Sequence, residues 1–340
     1  MKPRDPNKSE SGFWPKDAFA RREIVQSWFV WSVPLMFLVL FAVLFVSLHS
    51  CAASKPETSV VAYCAQDEEF AEPLLQAFQK RSGIQAKAVY DSEAVKTVGL
   101  ANRLLQEKNH PQCDLFWGNE ELRTRQLAQQ DVFRATNGWA AFGYRSRRIV
   151  INTNLVSPAS APKSLSDLTN AAWRGKVALA YPQFGTTSTH FHALRQLWGQ
   201  DRWLAWCRAL AANKPFLVDG NSVVVKLVGH GEAAIGLSDS DDIAGGQHEG
   251  LPVAAQPMTE ETLLIPNTIG ITRNTPHPLA AQQLFDYLQR PEVVRQLVAA
   301  QALEGASIHE VSTPTLKVDW NALLRDLEPT TATLNQIFLR

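Results

Sequence analysis

The sequence predicts an α/β protein of two lobes, each a mostly parallel sheet flanked by helices, preceded by one N-terminal transmembrane or signal helix. Short apolar runs alternate with amphipathic stretches over residues 60–130, and a second such alternation occupies residues 176–237. Residues 28–48 are almost wholly apolar. The 340 residues carry zero formal net charge and are 45% hydrophobic, which excludes a disordered chain and predicts no nucleic-acid partner.

The apolar run at residues 28–48, WFVWSVPLMFLVLFAVLFVSL, predicts a membrane segment. About 20 apolar residues are enough for a helix to cross roughly 30 Å of hydrocarbon. Lys and Arg exceed Asp and Glu close to its start, which is typical of the cytoplasmic side. We therefore predict a cytoplasmic segment at 1–27, a membrane anchor or lipoprotein signal at 28–54, and export of the rest to the periplasmic or extracytoplasmic face.

The end of this segment leaves two kinds of anchor open. The residues Leu48-His49-Ser50-Cys51 resemble a bacterial lipobox with an unusual His at its second position. Lipidation of Cys51 replaces a helix anchor by an acyl anchor. An uncleaved signal anchor, with Cys51 at the outer interface, is the alternative. Either way, the exported part is predicted to be tethered to the cytoplasmic membrane.

The first exported stretch reads as successive βαβ units. An acidic helix start follows the first apolar run, and Gly83 ends that helix. The predicted elements, in order, are strand Val60–Cys64, a helix from Asp67 to Gly83, strand Ala86–Tyr90, helix Ala94–Lys108, strand Asp114–Trp117 and helix Glu120–Gln130. Such units form a mostly parallel sheet with right-handed crossovers.

The middle of the chain repeats the pattern, and its last part returns to the first lobe. The predicted elements are strands Arg148–Asn152 and Lys176–Ala180, helices Thr187–Trp198 and Arg202–Ala212, strand Pro215–Val218, helix Asn221–Gly229, strand Ala233–Leu237, strands Val253–Gln256, Thr262–Ile265 and Thr268–Ile271, and helices Pro278–Gln289 and Glu292–Ala300. We predict lobe 1 at 55–147 and 252–340 and lobe 2 at 148–251. A cleft between such lobes, at the carboxyl ends of strands, favours small-ligand binding.

Several segments resemble a known family, in the order expected for it. They are VVAYCAQDEEFAEPLLQAFQKRSGI, CDLFWGNEELRTRQL, YRSRRIVINTNLV, PKSLSDLTNAAWRGKVALA, FGTTSTH, GNSVVVKLVGHGEAAIGLSDSDD and LLIPNTIGI. Residues 59–308 are similar to periplasmic solute-binding proteins of the type-2 fold, in the branch of ferric-iron-binding proteins and their relatives for small phosphorylated or phosphonate solutes. The resemblance implies the ligand-capture subunit of an ABC importer, with permease subunits as partners and no enzymatic activity.

One end of the predicted cleft suits an oxyanion. The segment from Phe184 to Thr189 lies between a strand and a helix, so its glycine, its hydroxyls and the free N–H groups of a helix start can converge on an anion. The alternative is a hydroxyl that merely caps the helix. The resemblance adds that Gly185, Thr186 and Thr187 match the family's anion-contacting turn and that Asn221 matches a further polar contact.

The other end is acidic. Asp239, Asp241 and Asp242 follow an apolar strand and repel one another, so a cation, an ammonium group or hydrogen-bond donors should offset them. An Asp-rich turn that caps the next segment is the alternative. Tyr144, Arg145 and Arg147 lie near the lobe crossing, where they could add positive charge to the cleft or form a domain-bridging patch.

The sequence leaves two chemical classes of ligand possible. The ferric-binding proteins that this sequence resembles have two adjacent tyrosines where this chain has Asp241 and Asp242. They have a His or Gln where this chain has Asp67, and a Glu where it has Asn119, which is followed by Glu120. Asp67, Asp241 and Asp242 remain candidate metal ligands, because hard cations accept carboxylates. We predict no required cofactor. The expected ligand is either Fe(III) with a synergistic anion or a zwitterionic or phosphorylated solute that uses both ends.

The competing function class is an enzyme. An apolar strand followed by Asp239 and Asp241 resembles the nucleophile segment of haloacid-dehalogenase-type phosphatases, in which the first Asp attacks phosphorus and the second acts as acid and base. That motif normally opens its domain, whereas here two α/β series precede it. The binding-protein interpretation is therefore favoured.

Overall fold

A computed structural model describes residues 57–91 and 96–339 of the chain. The strands in these ranges are β1 (Ser59–Cys64), β2 (Gln85–Val89), β3 (Leu115–Gly118), β4 (Trp139–Asn152), β5 (Val177–Ala180), β6 (Phe216–Val218), β7 (Ile235–Asp239), β8 (Val253–Ala255) and β9 (Leu264–Ile271). The α-helices are α1 (Glu68–Ser82), α2 (Lys96–Gln106), α3 (Glu121–Gln129), α4 (Gly185–Trp198), α5 (Gln200–Ala212), α6 (Asn221–Gly229), α7 (Ser240–His248), α8 (Pro278–Leu288), α9 (Pro291–Ala299), α10 (Trp320–Arg325) and α11 (Leu327–Phe338).

The strands form one mixed sheet with two parallel groups. The order is β2-β1-β3-β9-β4-β7-β5-β6, and β8 pairs with β4. Strands β2, β1 and β3 run parallel to each other, as do β7, β5 and β6. Between the groups, β9 and β4 are antiparallel to each neighbour. The prediction of mostly parallel sheets is therefore wrong for the middle of the sheet, because the two long strands β9 and β4, which join the groups, are antiparallel.

Strand β4 is the physical link between the two groups. Its first residues, from Trp139, pair with β9, and its last residues pair with β7 and β8. The sequence analysis predicted only the final part, Arg148–Asn152, as a strand. It also split β9 in two around Pro266, which has no N–H to donate. The sheet absorbs Pro266 at a register shift between Phe142 and Arg145, so β9 continues through it.

Hydrophobic side chains cover both faces of each parallel group. In β1, Val60 and Ala62 belong to one buried cluster and Tyr63 to another. In β5, Leu179 belongs to a third buried cluster and Ala178 to a fourth. Since successive strand residues point to opposite faces, helices must cover both sides of each group. The predicted alternation of strands and helices is thereby explained.

The C-terminal helices pack on the second half of the molecule. Leu334 and Phe338 of α11 lie in the same buried cluster as Phe191 of α4 and Trp206 of α5, and the Phe191 and Phe338 rings meet edge to face at 6.0 Å. Packing of this segment was expected, but the sequence analysis counted it with lobe 1. The lobe boundaries themselves stay a prediction.

The predicted N-terminal segments, 1–27 and 28–54 with Cys51, lie outside the described residues. Within residues 57–91 and 96–339, we find no helix with the length and apolar character needed to cross a membrane.

Candidate functional site

A polar cavity of about 50 Å³ opens where the strands of both parallel groups end. Asn119 follows β3, Tyr181 follows β5, Asp219 follows β6, and Asp239 is the last residue of β7. The carboxyl edge of parallel strands is the usual place of a ligand site in α/β proteins. The full lining comprises Asp67, Lys96, Thr97, Asn119, Arg145, Ala180, Tyr181, Phe184, Gly185, Thr186, Thr187, Asp219, Gly220, Asn221, Asp239, Asp241 and Asp242.

Four helices begin at this cavity without a side-chain cap. Their N-cap residues are Asp67 of α1, Phe184 of α4, Gly220 of α6 and Asp239 of α7, and none of these side chains accepts a capping hydrogen bond from its helix. The first N–H groups of a helix have no partner inside it, and they carry a partial positive charge. The helix starts therefore present backbone donors to the cavity.

The four helix starts differ in charge, which gives the cavity two ends. The first turns of α1 and α7 carry acidic residues, Glu68 and Glu69 in α1 and Asp241 and Asp242 in α7. The first turns of α4 and α6 carry none. An anion is therefore accommodated best at α4 and α6, whose own first turns contribute no carboxylate, while the neighbouring Asp239 carboxylate accepts from Thr186 and Asn221 at these starts.

The hydroxyls at the start of α4 are fixed by the protein itself. The Thr186 hydroxyl donates to Asp239 Oδ2 at 2.8 Å, and the Thr187 hydroxyl donates to Asn221 Oδ1 at 3.3 Å. The Asn221 amide donates in turn to the Thr186 oxygen at 3.0 Å. Gly185 takes a φ of +53°, which favours glycine, and a Cβ there would enter open space. The alternative of a Thr or Ser cap is wrong, because the N-cap residue is Phe184.

The acidic end contains three aspartates and the cations that offset them. One carboxylate oxygen from each of Asp239, Asp241 and Asp242 lies within 4.8 Å of the others. Arg147 Nη1 donates to Asp239 Oδ1 at 2.7 Å. The Arg145 guanidinium is 3.4 Å from both Asp239 Oδ2 and Asp241 Oδ2. The positive charge that the sequence analysis expected beside this cluster is therefore supplied by two buried arginines.

The two buried aspartates titrate in opposite directions. For Asp239, burial raises the pKa, but Arg147 and Arg145 lower it more, so the net pKa is depressed. For Asp241, burial dominates over the attraction of Arg145, and repulsion by Asp239 and Asp67 adds to it, so the pKa rises to about 7. Asp241 Oδ1 is buried and has no hydrogen-bond partner among the described residues.

The other wall of the cavity comes from the first parallel group. Lys96 pairs with Asp67, and the Thr97 hydroxyl donates to Asn119 Oδ1 at 2.6 Å. Arg145 Nη2 donates to the backbone oxygen of Asn119 at 2.7 Å. Since the same guanidinium faces Asp239 and Asp241, Arg145 bridges the two walls.

Most of the predicted site residues line the cavity together. They are Asp67, Asn119, Arg145, Gly185, Thr186, Thr187, Asn221, Asp239, Asp241 and Asp242. Tyr144 does not, since its backbone pairs with Gly305 in an isolated bridge. Arg147 lies behind Asp239 and donates to Asn221 Oδ1 at 2.8 Å, so it supports the site from outside the cavity.

Glu120 is also absent from the cavity, because its carboxylate serves other groups. It accepts from the backbone N–H groups of Leu122 at 2.6 Å and Arg123 at 2.9 Å, and so caps α3. It also accepts from the Thr189 hydroxyl at 3.1 Å. The structure therefore gives Glu120 a capping contact in place of the predicted ligand contact.

Sequence reasoning missed several lining residues. Lys96, Thr97, Tyr181, Asp219 and Gly220 were not among the predicted site residues. Two of these, Tyr181 and Asp219, directly follow short apolar runs. Examining the residue after every predicted strand would have found them.

The two histidines of α4 serve packing. His190 Nε2 donates to the backbone oxygen of Glu261 at 2.7 Å, and His192 Nδ1 contacts that of Ser188 at 2.7 Å. Burial lowers the pKa of His190 to about 3 and that of His192 to about 4. Both are therefore neutral at pH 7.

Comparison with known proteins decides the family. Residues 60–300 match the model of the bacterial extracellular solute-binding proteins. The chain belongs to this family. It is a binding protein and not an enzyme, so the phosphatase alternative is discarded; both oxygens of Asp239, its supposed nucleophile, already accept hydrogen bonds from Arg147 and Thr186.

The relatives of this solute-binding protein include iron and sugar-phosphate binders. The Fe(3+)-binding periplasmic protein of Serratia marcescens is 30% identical over 203 residues, which cover 54% of this chain and 58% of the relative. Iron-bound HitA from Pseudomonas aeruginosa superimposes with a TM-score of 0.72 at 19% identity, over 82% of this chain and 99% of that one. AfuA from Actinobacillus pleuropneumoniae with fructose-6-phosphate gives 0.70 at 16% identity, over 83% and 98%. These likenesses establish the α/β fold of ferric-binding proteins.

Proposed function

We propose that this protein captures a small phosphorylated or phosphonate solute in its cleft and delivers it to an ABC importer. The observation that carries the proposal is the start of α4 and α6 at the cavity, with neither a side-chain cap nor an acidic first turn. Backbone N–H groups at helix starts bind phosphate in many folds. The cations of the lining, Lys96 and Arg145, are paired with aspartates of the same lining, so the backbone N–H groups supply the attraction for the anion.

A cationic group on the solute is also supported. Asp241 lines the cavity, and its Oδ1 has no partner within the described ranges 57–91 and 96–339. An ammonium or hydroxyl group of the solute could donate to this oxygen while its phosphate meets Gly185 and Thr186. The proposed solute is therefore a phosphorylated or phosphonate compound with a hydrogen-bond donor at its other end.

Ferric iron is the second candidate, and two observations favour it. The carboxylates of Asp239, Asp241 and Asp242 lie within 4.8 Å of one another, and the relative from Serratia marcescens is named an Fe(3+)-binding protein. Against it stands the Arg145 guanidinium beside Asp239 and Asp241. Two positive unit charges 4 Å apart repel by about 4 kcal/mol at an effective dielectric constant of ~20, so the guanidinium offsets part of the attraction that the three carboxylates exert on a cation. The phosphorylated solute is therefore the better match.

Isothermal titration calorimetry tests the choice directly. The purified exported part should be titrated with fructose-6-phosphate, 2-aminoethylphosphonate, inorganic phosphate and ferric citrate. We expect binding of at least one phosphorylated or phosphonate compound, with thermal stabilisation of the protein, and none of ferric citrate beyond that of citrate alone. Ferric binding without binding of any phosphorus compound would reverse the assignment.

The transport mechanism that we propose is closure of two lobes around the solute. The ligand enters the open cleft, engages both walls, and hinge closure creates the surface that the permease subunits recognise. Arg145 already contacts both walls, which supports a closed arrangement of this kind. Small-angle X-ray scattering with and without ligand tests it; an unchanged radius of gyration at saturating ligand contradicts closure.

We further propose that residues 28–54 tether the protein to the outer face of the cytoplasmic membrane, either as a helix or through a lipid on Cys51. Labelling of cells with a radioactive fatty acid separates the two. Label that disappears in Cys51→Ala identifies the lipid anchor, whereas an unlabelled protein that stays in the membrane fraction identifies the helix anchor. A protein released from the membrane fraction in both forms contradicts the tether.

A further inference from the structure

Arg145 occupies the acidic end of the cleft as a permanent cation. We infer that this residue determines the selectivity of the cleft, so that it takes anionic solutes and excludes metal ions. The inference rests on the proposed function and names the residue responsible for it.

The guanidinium of Arg145 lies beside two carboxylates of the acidic cluster. Its Nε is 3.4 Å from Asp239 Oδ2, and its Nη1 is 3.4 Å from Asp241 Oδ2. These two carboxylates belong to the cluster whose ligand atoms lie within 4.8 Å of one another. Such a cluster is the kind of site that a hard cation would occupy, because carboxylate oxygens suit hard ions. In this chain the space between two of its members faces a guanidinium.

Arg145 is held in place. Its side chain is 3% exposed, and Nη2 donates to the Asn119 backbone oxygen at 2.7 Å. Nη1 also contacts Asn267 Oδ1 at 3.5 Å. Strand β4 fixes its backbone opposite Ile265 of β9. The guanidinium is therefore anchored from the opposite wall and from the sheet, and a metal ion would have to displace it from these contacts.

The positive charge of Arg145 is permanent. An arginine side chain stays protonated over the whole physiological pH range, so Arg145 keeps its positive charge beside Asp239 and Asp241 at every working pH. The aspartates beside it raise the pKa of Arg145 further, against the opposing effect of its burial. Asp239 is also paired with Arg147. A trivalent ion thus meets the Arg145 guanidinium beside Asp239 and Asp241, whereas an anion at the start of α4 meets backbone N–H groups.

The test removes the charge and keeps most of the side-chain volume. Arg145→Met is compared with the wild-type protein and with Arg148→Met. Arg148 is the matched control because it lies on the same strand, pairs with Glu304 at 2.6 Å and is not part of the cavity lining. Terbium(III) chloride is the probe for a hard trivalent cation, and inorganic phosphate, in separate titrations, is the probe for the anion.

We expect terbium(III) to bind Arg145→Met at least tenfold more tightly than wild type, and phosphate to bind it at least tenfold more weakly. Arg148→Met should match the wild type within about twofold for both probes. Adding Asp241→Asn to Arg145→Met should abolish the gain in terbium affinity. Terbium affinities of wild type and Arg145→Met that agree within threefold would overturn the inference.

A second variant and a separate criterion for the proposed function complete the experiment. If Arg145→Met does not fold, Arg145→Gln preserves a polar side chain and meets the same criterion for terbium. The proposed function is judged separately, by whether the wild-type protein binds phosphorus compounds at all. A wild type that binds none, together with a terbium gain in the variant, contradicts the proposed solute but leaves Arg145 as the group that excludes cations.

Discussion

The starts of helices α3 and α4 lie close together and are built in opposite ways. Glu120 caps α3 with a fully buried carboxylate that accepts from two backbone N–H groups, and Glu121 adds charge to the first turn. The start of α4 has Phe184 at its N-cap and no acidic residue in its first turn. A hydrogen bond of 3.1 Å from Thr189 of α4 to Glu120 connects the two regions.

This difference separates a helix start that is capped by its own chain from one that we propose binds the solute. A side-chain cap stabilises a helix by about 0.5–2 kcal/mol, and α4 lacks that contribution. Its hydroxyls donate instead to Asp239 and Asn221, which fixes the turn and leaves the backbone N–H groups to the cavity. In the proposed function, the uncapped N–H groups at the start of α4 are the donors for the phosphate of the solute.

The largest expected effect comes from removing the charge behind α4. Arg147 Nη1 donates to Asp239 and Asn221, the two residues that hold the hydroxyls of α4. Arg147→Met leaves a buried carboxylate short of its closest partner, so the free energy of unfolding should fall by about 3–5 kcal/mol. Urea denaturation at pH 7 measures it, with Arg148→Met as control. A loss no greater than that of the control contradicts the supporting role.

The second largest effect on stability is expected at the capped start of α3. Glu120→Ala removes the acceptor of two backbone N–H groups and of the Thr189 hydroxyl, all in buried surroundings. We expect a loss of about 2–3 kcal/mol in unfolding free energy, because these donors lose their partner. Solute affinity should change by less than about threefold, since the carboxylate does not line the cavity. A large loss of affinity without loss of stability would place Glu120 in the site after all.

A smaller effect is expected at Asp241, and it depends on pH. Its pKa rises to about 7 in the folded protein from an ordinary value of 3.8, so the folded state binds more protons than the unfolded state between these values. Stability from this group therefore falls as pH rises from about 4 to about 7. Asp241→Asn should therefore gain stability relative to the wild type as the pH rises from about 4 to about 7, and the two proteins should be similar in stability near pH 4. Parallel stability curves for the two proteins would contradict this.

The smallest stability effect, and a selective loss of binding, are expected at Gly185. Gly185 and Gly175 have φ values of +53° and +68°, and a Cβ at either meets open space, but only Gly185 lines the cavity. Gly185→Ala and Gly175→Ala should each cost about 1 kcal/mol of stability through the strained backbone. Calorimetry should show an affinity loss of at least tenfold for Gly185→Ala alone. Equal affinities of the two variants would remove the α4 turn from the site.

The order of strands and helices, and a cleft at the carboxyl ends of strands, could be predicted from the sequence. The turn at Gly185 and the cluster at Asp239 were singled out because they follow apolar strands, whose carboxyl ends meet at one edge of a parallel sheet. Asp67, Asn119 and Asn221 were singled out through the family resemblance. Hydrophobic periodicity and a general rule of topology are enough for the first group and not for the second.

Pairing across the sheet could not be predicted in this way. Arg147 neutralises Asp239 because the two residues face each other in the register of β4 and β7. Arg145 follows the register shift opposite Pro266, which sets the side of the sheet on which it lies. Glu120 was assigned to the site because it follows Asn119, the place that matches a Glu of the resembling family, but its carboxylate accepts from the start of its own helix and from Thr189 of α4. Each of these depends on spatial register or side-chain geometry.

The most direct test of the account is a crystal structure of the exported part with a bound phosphorylated or phosphonate solute. The account predicts phosphorus-bound oxygens at about 2.7–3.2 Å from backbone nitrogens at the start of α4, with the Arg145 guanidinium still between Asp239 and Asp241. A metal ion ligated by Asp239, Asp241 and Asp242, with Arg145 displaced and the start of α4 empty, would contradict it.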